Sequence, residues 1–262
     1  MILPVKPSQT SHKNLFIYCG NLALSEVETQ ISVALTTPQT LPAMRNIPGS
    51  VGKLLRLTAE KLDFDYIIID MSPSVGALNE CLLMSSDYFI VPTCPDFFCA
   101  QAIKSLSKIL PKWNQEVQQF RAENIDYPLP SNPPKFLGFI SQRYRPRNGA
   151  PVKSFQKWID IIKTTVNSQL IPALSPLDMT VELQKFKACL PSKEPYHLAH
   201  IADFNSLIAQ SQKHNVPVFA LSDDEIEQVG AALNTMKTNR DDFHHVFSTL
   251  ASEIHKLTER VK

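Results

Sequence analysis

The chain has 262 residues, enough for one large domain with a sizeable core. Its composition is 44% hydrophobic and 19% charged, which excludes a disordered or fibrous chain. The formal net charge of +1 excludes a globally basic nucleic-acid binder, so any contact with nucleic acid has to come from a local patch.

Residues 1–13 read as an irregular lead-in, and Asn14 to Cys19 as a short buried strand closed by Gly20-Asn21. Leu24 to about Leu35 is expected as a helix, with Ser25 as its cap and Glu28 three residues on. Residues 36–48 carry three prolines and read as loop. The stretch NIPGSVGKLL, 46–55, contains the Gly49-Ser50-Val51-Gly52-Lys53 skeleton of a phosphate-binding loop. Leu54, however, stands where such a loop needs Ser or Thr for Mg²⁺, and no apolar strand precedes it. Ser50 is therefore read as the cap of an amphipathic helix to Leu62, carried by Val51, Leu54, Leu55, Leu57 and Leu62.

Tyr66 to Ile69 is a continuous apolar run ending in Asp70, the pattern of a strand covered on both faces of a parallel sheet. A turn at Ser72-Pro73-Ser74, a helix near 76–86 and a second apolar strand, Tyr88 to Val91, follow. Residues 99–118 read as a helix, 122–135 as a Pro-rich loop and Phe136 to Ser141 as a strand. A helix over 152–168 presents Phe155, Trp158, Ile159 and Ile162 on one face. Another helix is expected over 200–213, then a short strand at Val216–Leu221. A C-terminal helix over 241–261 repeats apolar residues at Phe243, Phe247, Leu250, Ile254, Leu257 and Val261. This alternation predicts one α/β domain over 1–262, a doubly wound and mostly parallel sheet.

The cysteines, Cys19, Cys81, Cys94, Cys99 and Cys189, sit mostly in apolar runs and form no CxxC pair. They read as reduced core thiols of a cytoplasmic protein. The N-terminus has no apolar signal core, and no apolar run approaches the roughly 18 residues that a membrane span needs. The apolar stripe of the C-terminal helix reads as core or dimer contact, since its polar side is mixed in charge.

In doubly wound sheets ligands sit beyond the carboxyl ends of the strands. That singles out Asp70 to Ser74, Pro92 to Asp96, and Gln142-Arg143. An acid ending an apolar strand is how nucleotide hydrolases hold Mg²⁺ or its waters; the plainer reading makes Asp70 a cap for the turn after it.

The segment DFDYIIIDMSPSVGALNECLLMSSDYFIVPTCPDFFCAQAI, 63–103, resembles the middle of the ParA/MinD-type partition ATPases, which carry a deviant Walker A loop. NLFIYCGNLALSEVE (14–28), FLGFISQRY (136–144) and FNSLIAQSQKHNVPVFAL (204–221) are similar to flanking segments of that family. The resemblance implies a P-loop NTPase fold of the SIMIBI type, with ATP and Mg²⁺ as cofactors. By position it makes Asp70 the acid near the Mg²⁺ water shell, Ser72, Pro73 and Ser74 the γ-phosphate switch, and Gln142 the base contact. It also implies a dimer, non-specific DNA binding and a partner protein that stimulates hydrolysis.

The family's KGGVGKTT loop and the strand before it are not among these residues. A truncated or mis-started ATPase, a degenerate relative that closes its sheet differently, and a second chain filling the gap all remain open. In that family the first strand lies centrally in the sheet, and losing it would leave a gap of unpaired backbone and exposed apolar side chains. The alternative of a different class is a non-catalytic binding or regulatory module acting through protein contacts.

QRYRPRNGAPVKSFQKW, 142–158, holds Arg143, Arg145, Arg147, Lys153 and Lys157 with Tyr144 and Trp158 interleaved. It could grip a phosphate backbone or stack a base, or it is a solvated loop and helix face. His197 and His200 are read as sharing a helix face, as metal ligands do, but no partner set completes a site, and ordinary surface or interface histidines are the plainer reading. His244 and His245 are adjacent and point apart.

Overall fold

A computed structural model describes residues 6–21, 24–37, 42–147 and 150–259, and the side chains of Ser25, Pro42 and Ala43 lie outside the described set. The cap expected at Ser25 and the helical Val261 thus lie outside the described residues. Where the sequence reads as one α/β domain, the chain divides into two compact units, 1–87 with 109–134, and 88–108 with 135–262.

The first unit is helical. α1 (Leu24–Thr36), α2 (Ile47–Leu62) and α3 (Ala77–Ser85) pack on one another. Ile31, Met84, Leu110, Trp113, Val117 and Phe120 supply its core. α2 begins earlier than the sequence suggests. Asn46 precedes its first residue, Pro48 sits in the first turn, where a missing N–H costs nothing, and Ser50 is already helical, its hydroxyl donating to the Ile47 carbonyl at 2.6 Å. Asn46 makes no cap bond; instead its amide bridges Asp126, donating to Oδ2 at 2.8 Å and accepting the Asp126 N–H at 3.0 Å. α2 ends where Asp63 turns left-handed at φ 55°.

The strands expected in this unit do not form a buried parallel sheet. Of Asn14 to Cys19 only β2 (Phe16–Ile17) is paired, antiparallel to β1 (Ser8–Gln9), which lies in the supposed irregular lead-in; both strands are exposed rather than buried. Tyr66 to Ile69 is no strand, and Ile68 is 92% exposed. No backbone ladder bond reaches Ile67 to Asp70 among the described residues. The physical reason is partnership: an apolar run becomes a strand only when a neighbour takes up its N–H and C=O groups.

The second unit carries the parallel sheet. β3 (Tyr88–Thr93), β4 (Lys135–Tyr144) and β7 (His197–Ala202) lie in the order β3-β4-β7, all parallel. β4 is central and buried from Phe136 to Ser141, as a strand covered on both faces should be. α4 (Phe97–Glu116) follows β3, and its last turns belong to the first unit. A two-residue ribbon, β5 (Pro146–Arg147) with β6 (Ala150–Pro151), leads into α5 (Lys153–Thr165). A π-helical turn, Val166–Leu170, joins α5 to α6 (Ile171–Leu174). Phe136, Phe139, Ile159, Ile162, Leu170 and Phe186 form the core, the last from α7 (Leu183–Cys189).

β7 replaces the helix expected from residue 200; the helix there, α8 (Leu207–His214), starts after the strand. Val216–Leu221 is a 3₁₀ turn at Val218–Ala220 rather than a strand. The last helix, α9, runs Gly230–Thr258, longer at its start than its apolar repeat shows, and buries Phe243, Leu250 and Leu257. These findings support an α/β chain with a three-stranded parallel sheet. No helix is long and apolar enough to cross a membrane among the described residues.

Candidate functional site

The Asp70–Ser74 segment lies in the first unit. Asp70 is exposed, and its carboxylate makes no hydrogen bond or ion pair among the described residues. The turn after it is held from below by Asn79, buried at the third position of α3. Asn79 Nδ2 lies 2.7 Å from the carbonyls of both Ser72 and Ser74. The two hydroxyls face each other at 3.1 Å. Gly76, just before α3, is covered by the Glu28 carboxylate of α1, which a Cβ there would push aside. Sequence reading missed Asn79 and Glu28. The available signal was an amide at the start of a helix, three residues after a glycine that follows a Ser-Pro-Ser turn. Ser72, Pro73 and Ser74 are thus brought together on one amide, with two serine hydroxyls exposed beside a free carboxylate.

Gly49 to Lys53 is not a phosphate loop. Gly52 and Lys53 lie past the first turn of α2, where N–H groups are committed to carbonyls four residues back. The glycines serve packing. A Cβ on Gly49 would run into the Tyr127 carbonyl, and one on Gly52 would lie 2.5 Å from the Ser85 hydroxyl. The donor set that a triphosphate needs is therefore not assembled by this stretch. Asp70 suits a water of Mg²⁺, but these residues by themselves do not fit ATP, and no chemical step is derived through it.

Gln142 and the basic residues belong to the second unit, so the structure does not gather them into one unit with Asp70. Gln142 is half-buried near the end of β4, opposite Ile201. Arg143 is an extra residue in β4: Gln142 pairs with Ile201 and Tyr144 with Ala202, so Arg143 bulges out, at φ 61°. The bulge keeps Tyr144 buried against His200, ring centroids 6.0 Å apart, while Arg143 is exposed. Arg145, Arg147, Lys153 and Lys157 follow, all exposed, through the β5–β6 ribbon and the first turns of α5. Phe97 and Phe98, 52% and 79% exposed at the start of α4, were not singled out from sequence. Phe97 meets Trp158 of α5 edge-on at 6.1 Å.

His197 and His200 lie on a strand, not a helix, and His197 is buried. Its ring stacks on Phe139 at 4.4 Å and sits 4.2 Å from that of His200. Burial, and then the charges of His200, Lys163 and Lys193, push the His197 pKa down to about 3. Its Nε2 has no partner, and no cluster suited to a metal occurs among the described residues. Burial pushes the thiol of buried Cys81 up to about 12 and that of half-buried Cys99 to about 11, away from the thiolate form. Cys19 is exposed, against the expectation of a core thiol, because its segment pairs only in an exposed two-residue ribbon.

Residues 8–122 match the family model described as an AAA domain, a P-loop ATPase family that includes ParA/MinD-like members. An uncharacterised protein, MJECL24, of Methanocaldococcus jannaschii is 28% identical over 125 residues, 48% of this chain and 41% of the relative. The matched stretch is thus less than half of that relative's length. No solved structure matches.

Proposed function

We propose that this chain is a ParA/MinD-like partition or positioning protein, acting in the cytoplasm in plasmid or chromosome segregation. The observation that carries the reading is the exposed Asp70 followed by a serine turn pinned by Asn79, inside the stretch that matches the P-loop ATPase family. A turn held at two carbonyls, its exposed serine hydroxyls contacting each other and the same amide, is suited to sensing a phosphate that docks beside it, and Asp70 to holding the water shell of Mg²⁺. The phosphate cradle comes from outside Gly49 to Lys53, so ATP turnover needs a further element, and the residues here bind and sense rather than hydrolyse. The proposal includes a homodimer or a related chain as partner, a partition partner protein, and non-specific DNA.

The test is retention on immobilised duplex DNA with and without Mg-ATP, alongside calorimetric titration with Mg-ATP. Retention that rises with Mg-ATP and is lost in Asp70→Ala supports the reading. Absence of nucleotide heat together with nucleotide-blind retention would discard it. A second reading is a non-catalytic binding module on a degenerate NTPase fold. It is favoured by the filled glycine faces of α2, which tie the only Gly-x-Val-Gly-Lys stretch to packing.

A further inference from the structure

The end of the second unit beyond β3 and β4 combines exposed aromatic rings with uncompensated positive charge. β3 and β4 are adjacent and parallel, so their carboxyl ends share one edge of the sheet. Phe97 and Phe98 follow β3 on that edge, and the Arg143 bulge and the β5–β6 ribbon follow β4. The Phe97–Trp158 contact ties the start of α4 to the basic first half of α5.

Charge on this edge is one-sided. Residues 142–158 contain no Asp or Glu. Arg143, Arg145, Arg147, Lys153 and Lys157 make no ion pair among the described residues, whereas Lys135, Lys163, Lys193, Lys213, Lys237 and Arg240 all do. Of the carboxylates nearby, Asp160 pairs with Lys163 at 3.7 Å, while Asp96 and Asp203 hold local backbone, accepting the Cys99 and Asn205 N–H groups at 2.7 Å each.

Two adjacent solvent-facing phenylalanines beside a row of cations without ion pairs among the described residues describe a surface suited to a ligand. The ligand must offer flat apolar faces at intervals and a repeating negative charge. A nucleic-acid single strand has both, whereas a duplex hides its base faces in the stack. We infer that this edge binds single-stranded nucleic acid, with bases stacking on Phe98 and Phe97 and the backbone running along Arg143, Arg145, Arg147, Lys153 and Lys157. Stacking on a ring does not depend on base identity, so the binding has little sequence preference. It rests on the second unit alone and is independent of whether the Asp70 turn serves a nucleotide.

The experiment uses the full chain and a 5′-fluorescein oligothymidylate of about twenty nucleotides, read by anisotropy across a salt series without nucleotide, beside the matching duplex. The single strand is expected to bind more tightly than the duplex. Phe98→Ala should weaken it about tenfold or more with the salt slope unchanged, and Phe98→Trp should restore it. Arg145→Ala with Arg147→Ala should lower the magnitude of the salt slope by about 1.4. Phe98 is so exposed that its replacement leaves folding intact, which a thermal melt verifies. Absence of binding, equal affinity for the duplex, or an unchanged affinity in Phe98→Ala overturns the inference.

Discussion

Gly52 of α2 lies against Ser85 of α3 so closely that a Cβ on the glycine would come 2.5 Å from the Ser85 hydroxyl. Replacing glycine by alanine inside a helix ordinarily gains roughly 0.5–1 kcal/mol. Here overpacking costs about 1–3 kcal/mol and wins. Gly52→Ala should therefore destabilise the chain, and Ser85→Gly should return most of the loss. Gly49→Ala should cost more than Gly52→Ala, because the atom in its way is the Tyr127 backbone carbonyl, which cannot rotate aside. Urea midpoints of the three variants and the double variant measure this. A Gly52→Ala chain as stable as the parent would refute the packing role.

Asn79 should matter more to the serine turn than either serine does. Asn79→Ala leaves the Ser72 and Ser74 carbonyls without their shared donor. Both serines are exposed and the Ser72 carbonyl keeps the Ser74 N–H, so the loss is that of two hydrogen bonds, about 0.5–1.5 kcal/mol each. The expected outcome is faster amide exchange and faster proteolysis confined to residues 70–76, with α3 intact. Uniform loosening of the whole unit, or none at all, would show that the amide does not organise the turn.

Two buried titrating groups should give the stability curve opposite slopes. Glu80 is buried with Oε1 unpartnered, and burial, then Glu116, raise its pKa to about 7 against the pull of Lys112. The folded chain thus keeps a proton that the unfolded chain releases above its ordinary value near 4.5. This contribution is complete below pH 4.5 and is lost as pH rises to about 7. Glu80→Gln should raise stability at pH 8 by roughly 1–3 kcal/mol and change little at pH 4. His197 runs the other way. With its folded pKa at about 3, its contribution is complete above about 6.5 and is lost as pH falls toward 3. His197→Phe keeps the ring on Phe139 and should flatten the acid limb. Denaturant midpoints between pH 3.5 and pH 8 test both signs; a Glu80→Gln gain that is larger at pH 4 than at pH 8 would reverse the assignment.

The apolar run at Ile67–Ile68 is exposed, so a charge there should be tolerated. Ile68→Lys is expected to change stability by less than about 0.5 kcal/mol. It should also lower dye binding to exposed apolar surface and reduce self-association in sedimentation. A loss of several kcal/mol would mean that Ile68 is packed in solution.

Much of the second unit was legible. Tyr88 to Val91 and Phe136 to Ile140 are runs without a polar side chain, and both lie in the parallel sheet. The stripes of α5 and α9 follow helical spacing because each has a core to face. His197 to Ala202 misled because two histidines in HLAHIA imitate the polar positions of a helix. Burial of His197 against Phe139 and the pairing with β4 made it a strand. In the candidate site Asp70, Ser72 and Ser74 could be picked out by their place after an apolar run. Asn79, Glu28 and the Arg143 bulge could not, since each acts through a neighbour distant in sequence or through a register shift.

What the sequence determined by itself is local: where turns fall, which segments are apolar enough to be buried, which cations stand without acidic neighbours, and that Leu54 disqualifies the phosphate-loop lookalike. What tertiary structure decided is which apolar runs find a partner. Tyr66 to Ile69 and Tyr88 to Val91 are similar as strings, yet the second pairs with β4 and Ile67 to Ile69 make no ladder bond among the described residues. Hydrophobic content makes a segment seek cover, but a strand exists only where a second backbone satisfies its hydrogen bonds, and no single stretch of sequence contains that second backbone.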